Sequence, residues 1–369
     1  MMKFSGYINC YRFFDIGGEV NLLEADSILN NLTAQKDFNL GKISRALVIE
    51  EEPLVVFLGK EMREIQGAEY LVTITGKIWN FGALSIIIKV NIAKEMELNL
   101  LKDLAHFLEK DSSIHELARK KMEDVYTKLA SAIREKKVWV EYEDYLIFVH
   151  DADKLPVTDV DQLLCSNELY ELVLLESSNN LNDQMIAPIK KYTFRYTNED
   201  AVLLDWNSSF ILSKDDAKDI CDVIEFSVCQ LLELRYYDDL LDKELNALYR
   251  SIKKNSGFAW KNKYSQMFEK ASRLYIEISE VIEKVENSLK LIGDAYYAKI
   301  YRASNERLRL NDWQTSVDQK LRNLLDISTL FQSEIHSRKN QLLEIVIIIL
   351  IAIEVIPLLW NFFKDLSFV

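Results

Sequence analysis

Gln341-Leu-Leu-Glu-Ile-Val-Ile-Ile-Ile-Leu-Ile-Ala-Ile-Glu-Val-Ile-Pro-Leu-Leu-Trp-Asn-Phe-Phe-Lys364 is the stretch on which the reading of the whole chain turns. Between Ile345 and Phe363 its strongly polar residues are Glu354 and Asn361. A bilayer core about 30 Å thick is crossed by roughly 20 mostly apolar helical residues, and this stretch supplies them. One acid at depth costs on the order of 2.5–3.5 kcal/mol on insertion scales, which the surrounding Ile, Leu, Val and Phe outweigh. The unbroken run from Ile345 to Ile353 has no polar face, whereas a soluble helix normally keeps one. The expectation is a transmembrane helix over 342–363 with a short tail at 364–369, tethering everything upstream. The competing reading is a very apolar helix buried in a protein core or an oligomer.

The 369 residues suffice for two domains, and 49% of them are hydrophobic, enough for a sizeable core. The net charge of −13 is unevenly placed. Residues 1–213 carry 23 Lys and Arg against 34 Asp and Glu, whereas residues 214–341 carry 21 of each. An acidic body argues against direct nucleic-acid binding, which needs clustered Lys and Arg. Cys10, Cys165, Cys221 and Cys229 form no CxxC, and no His sits at metal-finger spacing, so neither a zinc site nor a disulfide framework is expected. The N-terminus has neither the apolar core of a secretion signal nor the Arg-rich, acid-poor character of an organellar presequence. Targeting therefore falls to the C-terminal segment.

Eight of the ten glycines lie before residue 83, so the front is turn-rich and the rear helical. Gly6–Phe14 reads as a strand, Asp15–Gly18 as a turn, and Asn21 with Glu24 as a capping box. Strand-like runs follow at 46–49, 54–58, 70–79 and 84–90, the last two flanking an Asn80-Phe-Gly82 hairpin. Two amphipathic helices (98–108, 114–134), a strand at 142–150 and shorter strands at 192–196, 201–206 and 210–212 complete an α+β domain over 1–212 with a largely antiparallel sheet. Residues 213–341 read as a long-helix coiled-coil bundle. Its second helix carries a heptad through Met267, Ala271, Leu274, Ile278, Val281, Val285 and Ile292 and is expected to run on to about Arg307. Asn311 has the position of an N-cap for a third helix, seamed by Val317, Leu321, Leu324, Phe331 and Ile335, that runs in phase into the apolar segment. A bundle of this kind predicts a homo-oligomer; a self-contained bundle within one chain is the alternative.

Three stretches invite comparison with a known family. They are Asp222-Val-Ile-Glu-Phe-Ser-Val-Cys-Gln-Leu-Leu-Glu-Leu-Arg-Tyr-Tyr-Asp238, Val285-Glu-Asn-Ser-Leu-Lys-Leu-Ile-Gly-Asp-Ala-Tyr-Tyr-Ala-Lys-Ile-Tyr301 and the terminal Leu343-Glu-(apolar run)-Glu-Val355. Together they resemble the "required for meiotic nuclear division" family, also called domain of unknown function 155. The resemblance implies a membrane-anchored, oligomeric protein without known catalytic residues, whose eukaryotic relatives sit in the mitochondrial inner membrane and are tied to translation. Without a presequence this chain resembles a bacterial-type member.

The residues themselves offer little chemistry. Gly17-Gly18 is followed by neither GxGxxG nor GxxxxGK[ST], and HExxH and GxSxG are missing. His106, His115, His150 and His336 are scattered and read as ordinary core or surface histidines, and Cys221 and Cys229 as core packing. Two polar groups stand out. Glu233, Arg235 and Asp238 punctuate one apolar helix, and Asp294, Lys299 and Arg302 the next, so they either pair across an interface and fix its register or form solvated pairs along each helix. Glu344 lies at the mouth of the span and Glu354 about 15 Å deeper, with Pro357 three residues on. An acid at that depth faces a bundle interior and marks an assembly, ion or proton site.

The reading that follows is a non-enzymatic, cofactor-free scaffold. It is anchored in the membrane, self-associates, and presents its α+β domain to an unknown protein partner. Arg338 and Lys339 before the span and Lys364 after it place the body in the cytoplasm, or facing the matrix in a eukaryote. The runner-up is an oligomeric pore or proton path through Glu354. A metal-dependent enzyme in the N-terminal domain is weaker, since no ligand cluster supports it.

Overall fold

A computed structural model describes residues 3–32, 47–49, 52–134, 136, 138–154, 157–176, 181–214, 216–253, 260–287, 289–291 and 295–366. Strand β1 (Lys3–Asp15) leads through helix α1 (Leu22–Leu32) and the short β2 (Leu47–Ile49) to a meander of β3 (Leu54–Ile65), β4 (Ala68–Ile78) and β5 (Ala83–Glu97). Helices α2 (Leu98–Lys110) and α3 (Ser112–Lys128) follow, then β6 (Glu143–Asp151). Next come α4 (Val157–Leu164), α5 (Asn167–Val173) and α6 (Asp183–Lys191), then β7 (Thr193–Phe194), β8 (Ala201–Leu204) and β9 (Ser208–Ser213). The rear comprises α7 (Lys218–Lys253), α8 (Trp260–Asn287), β10 (Leu289–Leu291), α9 (Ala295–Arg307) and α10 (Leu310–Leu366). This is the expected α+β domain followed by long helices.

Eight strands form one sheet in the order β3-β4-β5-β1-β6-β9-β8-β7. Its described ladders are antiparallel except β6–β9, whose parallel pairing requires the crossover that α4–α6, β7 and β8 provide. Alternation along the strands sorts side chains onto two faces. Ile8, Cys10 and Phe14 of β1, Ile86 and Ile88 of β5, Phe148 of β6 and Phe210 of β9 form one apolar core with Leu101, Leu104 and Leu108 of α2, Ile114 and Ala118 of α3 and Leu172 of α5. The opposite face carries Tyr11, Phe13, Lys77 and Ser85. Helix α7 covers it, with Phe226 against Trp79 (ring centroids 5.4 Å apart) and Cys229 Sγ 3.6 Å from Ser85 Oγ.

The Asn80–Gly82 hairpin is present, and it holds the Gly17-Gly18 turn: Ile16 N donates to Gly82 O (3.0 Å) and Val20 N to Asn80 O (2.9 Å). Gly82 has φ +101°, and a Cβ there would lie 1.8 Å from Gly17 O. Only glycine meets both demands.

The rear departs from expectation in two places. The second helix does not run through to Arg307; it divides into α8 and α9, separated by β10, which pairs with β2 (Leu289↔Ile49, Leu291↔Leu47). A heptad pattern cannot register a strand partner more than two hundred residues away. Asn311 is not the cap of α10, which starts at Leu310. Arg309, at φ 57°, makes the turn, and its carbonyl accepts from Asp312 N (3.0 Å) and Trp313 N (3.3 Å).

By contacts the chain divides into two compact units, Met1–Tyr237 with Val281–Thr315, and Asp238–Glu280 with Ser316–Val369. The change of pattern at residue 212 therefore lies inside the first unit, because the first half of α7 belongs to the sheet it covers. The second unit has a seam of buried Leu241, Leu245 and Leu248, Ala271 and Ile278, and Val317, Leu321, Leu324 and Phe331. Ser328, which breaks the apolar repeat, is buried 3.3 Å from Ser272 Oγ. The α10 helix is continuous over 57 residues, about 85 Å at the usual rise. It is long and apolar enough to cross a membrane (mean hydropathy 2.1), and its apolar window is 0% buried. It spans the membrane, and the bulk of the chain is separate from the span.

Candidate functional site

Several buried polar contacts of the first unit line α7. On its sheet-facing side Asp222 and Glu225, one turn apart, receive Lys77 from the end of β4. Lys77 Nζ lies 2.5 Å from Asp222 Oδ1 and 2.7 Å from Glu225 Oε2. Burial works against the Lys77 ammonium, but the two carboxylates outweigh it and push its pKa above the usual lysine range. An apolar strand face with one cation thus meets an apolar helix face with two anions, an arrangement that fixes register.

Two residues beyond Glu233, Arg235 forms an ion pair with Glu143 at the start of β6, and its guanidinium carbon lies 5.8 Å from the Trp313 ring. Burial pushes the Glu143 carboxyl up and Arg235 pulls it down; Asp144 and Glu141 add to the rise, leaving it at about 7. Helix α9 is held at its end by Arg307, whose Nε donates to buried Asp205 Oδ1 at 2.7 Å.

Between these anchors lies a cavity of about 140 Å³. Gln230, Glu233, Leu234 and Tyr237 of α7 line it, with Ile282 of α8, Tyr301 and Asn305 of α9, and Leu310, Asn311 and Gln314 of α10. Tyr301 OH donates to Gln230 Oε1 at 2.8 Å. Glu233 is 3% exposed. Its Oε1 and Asn305 Oδ1 are buried without a hydrogen-bond partner among the described residues. Burial first, and then the Asp15 carboxylate, push the Glu233 carboxyl well above the usual range.

The structure thus brings Glu233 and Arg235 into one neighbourhood, but their surroundings are not those of an interface with Lys299 and Arg302. Arg235 is engaged by Glu143. In the second unit Asp238 accepts from Ser316 Oγ (2.7 Å) and pairs with Lys320 (2.8 Å). Lys299 is exposed, 5.5 Å from the Phe194 ring, and Arg302 is exposed; Asp294 lies outside the described residues. Glu344, Glu354 and Pro357 are exposed along α10, with Pro357 inside the helix.

His150 accepts from Ser5 N through Nδ1 (3.0 Å), and burial drives its pKa down to about 4. His115 stacks on Tyr142 (4.0 Å) and His106 lies 3.0 Å from Lys110 Nζ. Cys10, Cys221 and Cys229 are buried and free. Among the described residues no group of three or more His, Cys, Asp or Glu is placed to hold a metal ion.

Sequence reasoning missed Lys77, Asp222 and Glu225. The available signal was a lone lysine in an apolar strand and two acids one turn apart on an otherwise apolar helix stripe. It also missed Tyr301 and Asn305, which nothing in the spacing marks.

Residues 5–218 match the family described as "Uncharacterized protein MJ0711, N-terminal domain". The chain belongs to this family. The resemblance to the meiotic nuclear division family is thereby corrected, and the organellar and translational expectations go with it. Its three stretches lie outside the matched region, and the second of them is interrupted by β10 rather than forming one helix. Helices rich in Leu and Glu that end in an apolar run can look alike without common descent.

The chain is similar to uncharacterized protein MJ0711 of Methanocaldococcus jannaschii, 26% identical over 204 residues that make up 54% of this chain and 62% of that protein. The chain therefore spans under two thirds of the length of the curated relative it matches. No solved structure matches significantly. The family match stops at Lys218, the first residue of α7. The sheet, Lys77, Glu143 and Asp205 belong to the MJ0711 N-terminal domain, and the helices that cover the second sheet face and enclose the cavity come after it.

Proposed function

We propose that the chain is a non-enzymatic, self-associating scaffold that holds its MJ0711-type domain at a membrane surface for a protein partner. The observation that carries this reading is α10, which continues from a packed helical seam into a segment whose apolar side chains, from Leu342 to Ile356, are exposed. Such a surface needs lipid or other helices around it. Arg338 and Lys339 before the segment favour a cytoplasmic body. Self-association is supported by Glu354, an acid amid lipid-facing side chains that is best accommodated against a second helix, and by Ile276 and Leu330, exposed on the helices of the second unit.

Truncation after Gln341 tests the anchor. The shortened chain should be released as a folded, soluble protein, whereas full-length protein resists a carbonate wash. A truncated chain that stays in the membrane fraction overturns the reading. A monomeric mass in mild detergent overturns self-association. A second reading, an assembly conducting ions or protons through Glu354, is favoured by the depth of that residue alone. Flux in liposomes abolished by Glu354→Gln would support it, and no flux with either protein removes it.

A further inference from the structure

We propose that the cavity between α7, α9 and the start of α10 is a binding site for a small amphiphilic organic cation, an alkylammonium or alkylguanidinium, seated with its charged end at Glu233. The site lies in the first unit alone, outside the region matched by the family, and is independent of the membrane tether.

The lining carries one acidic group. Among the described residues around the cavity Glu233 is the only ionisable carboxyl, and no Lys, Arg or His lines it. The nearest base along α7, Arg235, is committed to Glu143, and Lys299 and Arg302 of α9 are exposed and do not line it. Two buried oxygens, Glu233 Oε1 and Asn305 Oδ1, lack donors. Unsatisfied buried acceptors are costly and call for a group that brings N–H or O–H with it. An ammonium or guanidinium brings several donors and the charge that Glu233 lacks.

The remaining walls suit the rest of such a molecule. Tyr237 and Tyr301 offer rings whose faces attract cations. Leu234, Ile282 and Leu310 offer an apolar side for a short hydrocarbon. The volume of about 140 Å³ is close to the cavity of about 150 Å³ that admits benzene, which sets the scale at roughly six non-hydrogen atoms. An anion would meet a carboxyl and no cation. A neutral alcohol would satisfy an acceptor but bring no positive charge to stabilise the ionised carboxylate. The cavity is also pre-formed: Arg307–Asp205 holds the end of α9, Tyr301–Gln230 ties α9 to α7, and Arg235–Glu143 ties α7 to β6.

The test is titration calorimetry on the full-length protein in nonionic detergent, with n-butylammonium as probe and 1-butanol and butyrate as size-matched controls. Saturable one-to-one binding of butylammonium is expected, at least tenfold tighter than butanol, with no binding of butyrate. Binding should also release close to one proton, seen as a heat that varies with the ionisation enthalpy of the buffer. The Asp15 carboxylate, which raises the Glu233 carboxyl, is the acidic neighbour that makes such release sensitive to pH. Glu233→Gln should weaken butylammonium at least tenfold and abolish the proton release. Asn305→Ala, which leaves the acid in place, should weaken binding about threefold or more while proton release persists, and it serves if Glu233→Gln fails to fold. No saturable heat, equal binding of butanol and butylammonium, or unchanged affinity in both variants overturns the proposal and leaves a water-filled packing gap.

Discussion

Lys77 Nζ sits 2.7 Å from Glu225 Oε2, joining a strand of the MJ0711-type domain to a helix that begins where the family match ends. Asp222 completes the contact from the same helix. Removing one partner of a buried ion pair strands the other, a loss of about 3–5 kcal/mol, whereas replacing the whole group by apolar residues of similar volume is often neutral. Lys77→Met should therefore lower the unfolding midpoint strongly. Lys77→Met with Asp222→Asn and Glu225→Leu should recover most of it. Thermal unfolding followed by circular dichroism reads both, and a triple variant no better than the single one would contradict the account.

Glu143 has its folded pKa raised to about 7 from the usual 4.5. A carboxyl raised in this way binds more protons folded than unfolded between those values, so its contribution to stability falls as pH rises through that window. Glu143→Gln removes the titration. Relative to the natural protein, the variant should gain stability between pH 5 and pH 8, measured by denaturant unfolding at each pH. A constant difference would show that Arg235 holds Glu143 ionised throughout.

Gly82 combines a positive φ with a carbonyl at Cβ distance. Gly82→Ala must strain the backbone, at about 1–3 kcal/mol, and also push the Gly17-Gly18 turn away. The expected outcome is a clear drop in midpoint, with loss of amide protection at Ile16 and Val20, whose N–H groups donate to this hairpin.

Asp205 Oδ1 accepts from Arg307, and burial pushes the Asp205 carboxyl up while that guanidinium offsets part of the rise. Arg307→Met should raise hydrogen exchange along α9 and leave the β1, β5 and β6 amides protected. Unfolding of the sheet in the same variant would mean that α9 is not a separate cooperative element.

The strands of the sheet and the hairpin were legible because alternation and turn chemistry are local. The long helices and the apolar span were legible because their period persists over many turns. The order of the strands was not: β1 lies between β5 and β6, and nothing short-range encodes that choice. The split of α8 from α9 was hidden for the same reason, since Leu289–Leu291 read as helix until their partner β2 is known. Of the candidate site, Glu233 and Arg235 were visible as polar interruptions of an apolar helix. Their true surroundings, Asp15 and Glu143, come from the neighbouring strands β1 and β6, far from α7 in sequence. Lys77 looked like one more lysine in a strand until α7 was laid over it.

An uninterrupted α10 is also a phase-keeper. Each residue of an α-helix turns about 100° and rises about 1.5 Å, so the direction in which Glu354 points is geared to Val317 and Leu321 in the seam through one shaft. Inserting a single residue between Gln332 and Gln341 would swing Glu354 by about a quarter turn while barely changing its depth, and inserting seven would bring it nearly back. Angular register, rather than hydrophobic length, is then what the segment between seam and membrane has to preserve.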